Sequence, residues 1–171
     1  EILHQLCEVL ATPERDVSPT RFMNSVHNAA AGYWSIATQS REPSTSLCCY
    51  DWSFAAGLLE TACQVAVNGK PAALIAYDEP YPEPLHSARP IHCEFGVALV
   101  LGPDKGLATL DVDFAQGVET RLDDAQLEAV RLGNPAARSL PLLAAIARGA
   151  RAEIALQYGP AASLRVRVEP C

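Results

Sequence analysis

The stretch Glu42-Pro43-Ser44-Thr45-Ser46-Leu47-Cys48-Cys49-Tyr50-Asp51-Trp52-Ser53-Phe54, with the run after it that ends at Asn68-Gly69, decides how this chain is read. Glu42-Pro43 interrupts what precedes it, and Ser44 to Tyr50 then reads as a short strand with a polar start. Beyond Asp51 the apolar period changes. Phe54, Gly57, Leu58, Thr61, Ala62, Val65 and Ala66 recur at three and four, which is helical spacing. Asp51 is placed to cap that helix, and Asn68-Gly69 with Pro71 beyond it is placed to stop it. Ala72 to Tyr77 is a nearly continuous apolar run, the pattern of a strand buried on both faces. A strand, a crossover helix and a second strand make a βαβ unit, which predicts parallel strands with a right-handed crossover. The turn between the first strand and the helix is where α/β enzymes often hold a nucleophile. The helix end there offers free N–H groups and a positive dipole to developing negative charge.

Working outward, Ile2 to Leu10 has helical apolar spacing and Pro13 stops it. Ser18-Pro19 reads as an N-cap followed by proline at the first helical position, and Asn28 as the cap of an alanine-rich helix over Ala29 to Thr38. Gly32 inside that helix costs about 1 kcal/mol relative to alanine, which predicts a close backbone approach there, with Tyr33, Trp34 and Ile36 supplying bulk. On the other side, Asp78 to Pro90 holds four prolines and reads as an ordered loop. His92 to Leu101 and Leu107 to Phe114 are apolar strands joined by Gly102-Pro103-Asp104-Lys105-Gly106, which predicts an antiparallel hairpin. Asp123 to Leu132 is a helix, Asn134-Pro135 caps another through Ala147, and Arg151 to Gln157 with Leu164 to Val168 form a second hairpin.

Composition narrows the function classes. With 171 residues, 49% apolar and 19% charged, the chain suits one domain with its own core, and no apolar run reaches the roughly 18 to 20 residues of a membrane span. Six cysteines lie mostly in apolar patterns and read as reduced, buried small hydrophobes of a cytoplasmic protein. There is no C-x-x-C motif and no i, i+4 histidine pair, so no metal site is expected; Cys48, Cys49, His92 and Cys93 are the set to watch. A net charge of −7 argues against a nucleic-acid partner. The acidity sits in residues 1–120, while 121–171 are mildly basic, and Arg131, Arg138, Arg148 and Arg151 could form a patch for an acidic partner.

Ser18-Pro19, Asn28-Ala29-Ala30-Ala31-Gly32 with Ser35-Ile36, and Glu42-Pro43-Ser44 leading into a strand and a buried helix resemble the N-terminal half of the β-ketoacyl synthases. Glu94-Phe95-Gly96-Val97-Ala98-Leu99-Val100-Leu101 resembles their Gly-Glu-Gly-Ala strand. More narrowly, Ser18-Pro19-Thr20-Arg21-Phe22, Ser25-Val26-His27-Asn28 and Asn134-Pro135-Ala136-Ala137-Arg138-Ser139-Leu140-Pro141 are similar to the short chain length factor proteins of aryl polyene clusters. The resemblance implies an α/β, thiolase-like fold: a layered mixed sheet around a buried helix, one half of the ketoacyl synthase fold. Residues 1–115 would be its thiolase-like core, and 116–171 its helices and C-terminal β-hairpin. The family carries a strand and helices upstream, so a start at Glu1 implies a half that is N-terminally incomplete or completed by another segment.

The resemblance also implies where chemistry should lie. The family's cysteine nucleophile falls eight residues after the proline of Gly-Pro-Ser, and counting from Pro43 that position is Asp51. Cys49 and Cys48 precede it within the strand, and a register shift of two would make Cys49 the nucleophile. The family's two catalytic histidines lie in His-Gly-Thr and Gly-His motifs, and neither motif is present. His27 reads as a hydrogen-bonded structural residue. What remains implied is a partner subunit without catalysis of its own, and no cofactor. Ser44, Thr45, Ser46, Leu47, Cys48, Cys49 and Tyr50 would form a strand paired across the axis of a heterodimer with a complete ketoacyl synthase, or of a self-dimer. Tyr33, Trp52 and Phe54 would wall the tunnel for an acyl chain that an acyl carrier protein delivers on phosphopantetheine, although plain core packing accounts for these aromatics as well. An active acyltransferase using Cys49, and a carrier-protein binding module using the arginines after position 121, stay open beside it.

Overall fold

The computed structural model describes residues 2–171. Three helices come first: α1 (Ile2–Leu10), α2 (Pro19–Asn24) and α3 (Ala29–Thr38). They are followed by α4 (Ser53–Asn68), β1 (Ala72–Asp78), the single turn α5 (Leu85–Ala88), β2 (Phe95–Leu101) and β3 (Ala108–Ala115). The chain closes with α6 (Ala125–Gly133), α7 (Leu140–Arg148), β4 (Ala152–Gln157) and β5 (Ser163–Pro170). Short 3-10 turns at Tyr50–Trp52 and Ala136–Ser139 lead into α4 and α7.

Two antiparallel sheets enclose the core. One is β1–β2, with Ala72 opposite Leu101 and Asp78 opposite Phe95; the other has the order β3-β5-β4. Helix α4 packs on β1 and β2, and α7 packs on β5 and β4. Phe54, Leu58, Leu74, Leu142, Ile154, Leu156, Leu164, Val166 and Val168 meet between these layers. Each such side chain removed from water contributes about 1.5–3 kcal/mol, so this shared cluster ties the sheets into one body. Helix α4 ends as its sequence dictates, at Gly69 in the left-handed region (φ 62°), whose N–H reaches Val65 O. Thr61 lies buried on its inner face and donates its hydroxyl to Gly57 O at 2.7 Å.

Several expectations fail on pairing. Ser44 to Cys49 enters no ladder and Tyr50 already belongs to the 3-10 turn, so the expected strand and βαβ unit do not form and β1 pairs antiparallel with β2 instead. The backbone N–H and C=O groups of Ser44 to Cys48 have no protein partner among the described residues. The hairpin expected across Gly102–Gly106 is absent too, because β2 and β3 go to different sheets. The reason is visible on β3: Asp111 faces Arg167 and Asp113 faces Arg165, and both pairs form salt bridges that draw β3 to β5. The C-terminal hairpin β4–β5 forms as its alternation indicates.

Helices α2 and α3 bury none of their apolar residues, whereas α1 buries Leu6. Phe22, Met23, Tyr33, Trp34 and Ile36 are all exposed, and no added Cβ at Gly32 would meet anything, so the close approach expected there is not made. Ser18 does cap α2, accepting from Arg21 N at 3.5 Å, with Pro19 at the first helical position. Asn28 occupies the cap position of α3 without a side-chain bond. The cysteines are free, but they are exposed or half-buried, not core. The outer face of β1–β2 is bare and apolar: Ala73, Ile75, Tyr77, Gly96, Ala98 and Val100 are all exposed. Among the described residues, no helix is long and apolar enough to cross a membrane.

Candidate functional site

The elbow before α4 holds one of three non-glycine residues with positive φ among the described residues. Tyr50 sits in the left-handed region at φ 58°, which costs a side-chain-bearing residue roughly 1–2 kcal/mol. Ser53 closes the turn from inside: its Oγ accepts from Cys49 N at 3.0 Å and donates to Tyr50 O at 2.7 Å. Asp51 does not cap α4, because the 3-10 turn pushes the helix start to Ser53. Its carboxylate instead accepts from Arg89 Nη2 at 2.8 Å. The Arg89 guanidinium also lies over the Tyr50 ring, 3.5 Å from the centroid. An ion pair this exposed contributes up to about 1 kcal/mol and a stacked cation a similar amount, which together match the strain at Tyr50. Burial opposes the charge on Arg89, but Asp51 and hydrogen bonding to Tyr81 and Tyr50 outweigh it and hold its pKa above the ordinary value.

A second polar cluster lies beneath the elbow. Arg131 is almost wholly buried and binds Glu128 through two bonds of 2.7 Å and Glu119 through one of 2.8 Å. Arg138 Nη1 reaches both oxygens of the same Glu119, at 3.0 and 3.1 Å. Hydrogen bonding from Arg131 holds the Glu128 carboxyl down to about 2, with help from the Leu122 N–H. A cavity of about 10 Å³ lies here, with Asp51, Phe54, Glu119 and Arg138 in its wall. That is room for about one water molecule, not for a substrate.

Asn134 stitches this region to the first sheet. Its side-chain amide donates to Asp78 O at 3.1 Å and Cys93 O at 2.9 Å, and its oxygen accepts from Ala136 N at 2.8 Å and Ala137 N at 3.2 Å. Asp78 accepts a further bond from Ala136 N, yet burial raises its pKa from the ordinary aspartate value.

The residues singled out from the sequence are thus brought together only in part. Asp51, Trp52 and Phe54 share the elbow, with Trp52 edge-on to Tyr50 and Phe54 in the core. Cys49 is half-buried beside them. Tyr33 is remote and exposed, its hydroxyl donating to Asn24 at 2.7 Å. Ser18, Pro19, His27, Asn28 and Gly32 are exposed, and His27 has no hydrogen-bond partner among the described residues. No group of three or more His, Cys, Asp or Glu side chains suited to a metal forms among the described residues. The arginine patch does not assemble either, since Arg131 and Arg138 are committed to Glu119 and Glu128 and Arg151 to Glu169. Sequence reasoning missed Arg89, Glu119 and Asp78. Arg89 had a signal: it is the one lysine or arginine between Lys70 and Lys105, amid Asp78, Glu79, Glu83 and Glu94.

Residues 3–159 match the model of the family described as "Beta-ketoacyl synthase, N-terminal domain", and the chain belongs to that family. No curated protein sequence matches it. Among solved structures it is similar to "Ketosynthase (ApeO) in Complex with its Chain Length Factor (ApeC) from Xenorhabdus doucetiae". The TM-score is 0.72 at 22% identity, covering 97% of this chain and 63% of that one. The fold is therefore the thiolase-like α/β fold of the ketosynthases, and the chain spans less than two thirds of the length of the chain it matches.

Proposed function

We propose that this chain is a non-catalytic, chain-length-factor-type subunit that pairs with a complete ketosynthase in building a polyketide or aryl-polyene-like chain. The observation that carries the reading is the elbow. Where the family's nucleophile would stand by residue count, Asp51 is tied to Arg89, over a cavity with space for one water. Such chemistry needs a nucleophile, a base and oxyanion donors converging on one carbonyl, and a carboxylate locked in an ion pair supplies none of these. The partner side of the reading is supported by Ser44 to Cys48, five residues outside regular secondary structure whose backbone groups find no partner among the described residues. Soluble proteins avoid leaving such an edge open, and strand addition to a partner sheet satisfies it. In this reading the work is cytoplasmic, and the acyl chain arrives on the phosphopantetheine of an acyl carrier protein. Trp52 and Phe54 then bound the tunnel that limits its length.

The test is co-expression with a complete ketosynthase, followed by purification, mass determination of the complex and analysis of product length. A stable complex with altered product length is expected. Leu47→Pro removes one backbone donor from an exposed position and should break the complex while leaving the core melt unchanged. Failure of the wild-type chain to associate would overturn the reading, and acyl transfer to Cys49 would replace it with an active acyltransferase.

A further inference from the structure

We infer that Arg89 is a positioning residue, reaching from the proline-rich segment to clamp the left-handed elbow at Tyr50 and so aim Ser44–Cys48 at the partner sheet. The inference rests on the partner-subunit reading. Ser44 to Cys48 make no backbone bond of their own; the nearest support is Gln64 Nε2 to Thr45 Oγ1 at 3.4 Å. Their direction is set where they leave the body, at Cys49 and Tyr50. That exit is held from inside by Ser53 and from outside by Arg89, which grips both Tyr50 and Asp51. The grip is itself anchored. Arg89 N bonds Leu85 O at 2.9 Å, Pro90 follows, and three residues on His92 N bonds Gly133 O at 2.9 Å. A strained aromatic backbone persists only where its surroundings over-determine it, and these are the surroundings. Lysine at 89 would keep the charge but lose the guanidinium that covers the Tyr50 ring while one of its nitrogens donates to Asp51.

Hydrogen exchange on the isolated chain tests the clamp, and affinity for the purified ketosynthase tests the positioning. The amides of Cys49 and Trp52, bonded to Ser53 Oγ and Cys49 O, report on the elbow. Arg89→Ala should speed their exchange about tenfold or more while amides of β5 keep wild-type protection. The same variant should weaken ketosynthase binding at least about tenfold, with Arg89→Lys falling between. Adding Tyr50→Gly, which takes the left-handed conformation without strain, should recover part of the lost affinity. Unchanged exchange in Arg89→Ala overturns the clamp, even if the wild-type chain binds no ketosynthase. A loosened elbow that binds the ketosynthase like wild type overturns the positioning role. A wild-type chain that fails to bind sinks the subunit reading and, with it, the positioning role.

Discussion

Replacing Glu128 by glutamine should be among the most damaging single-atom changes available in this chain. Glu128 holds the buried Arg131 with a two-pronged bond, both contacts at 2.7 Å, and its carboxyl is kept near 2 instead of 4.5. A depression of that size corresponds to about 3 kcal/mol at neutral pH before screening, and solvent reaching the carboxylate together with coupling to Glu119 brings the expected loss to roughly 1–2 kcal/mol. The folded pKa lies below the unfolded one, so this stabilisation is complete above pH 4.5 and fades as pH falls toward 2. Urea unfolding of wild type and Glu128→Gln at pH 7, 5 and 3 should therefore show a gap that is full at the first two and shrinks at the third. The double variant Glu128→Gln/Arg131→Met should recover part of the loss, because much of the cost is an unpaired buried cation, while Glu119 keeps Arg138 as a partner. A gap below about 0.5 kcal/mol at pH 7, or one that ignores pH, would refute the reasoning.

Two further changes probe the packing around the site. Gly57→Ala would place a Cβ 2.7 Å from Leu74 Cδ1, inside the core. Crowding of that kind should outweigh the helix gain of about 1 kcal/mol and leave the protein about 1–2 kcal/mol less stable in urea, with Leu74→Val restoring most of it. Asn134→Ala removes four hydrogen bonds from a buried position and should cost roughly 3 kcal/mol, read as a fall of about 6–12 °C in melting temperature.

Local signals were legible in the sequence and long-range partners were not. The Ser18-Pro19 start, the Gly69 stop and the alternation of β4 and β5 each act within a few residues, and the structure obeys them. The family motifs were equally readable, since order and spacing survive divergence. Pairing was harder. Ala72 to Tyr77 reads as a strand in any partnership, and nothing inside it says that β2 takes the neighbouring place in antiparallel sense. Asp51 shows the same limit: a carboxylate before a helix looks like a cap, and only the folded chain brings Arg89 to it from 38 positions away. The cysteines misled for a related reason, because apolar neighbours in sequence do not guarantee cover in space, and Cys48 and Cys63 face solvent.

The Asp–Arg pairs between β3 and β5 act as a vernier on strand alignment. In the observed register Asp111 meets Arg167 and Asp113 meets Arg165. Sliding β5 by two residues one way would set Asp111 against Glu169, and sliding it the other way would leave Asp113 against Ser163 and Arg167 against Thr109. A one-residue slide would turn the core valines Val166 and Val168 out to water. Each misalignment thus carries its own penalty, and the strand that closes the sheet late in the chain has one address at which every charge finds its opposite.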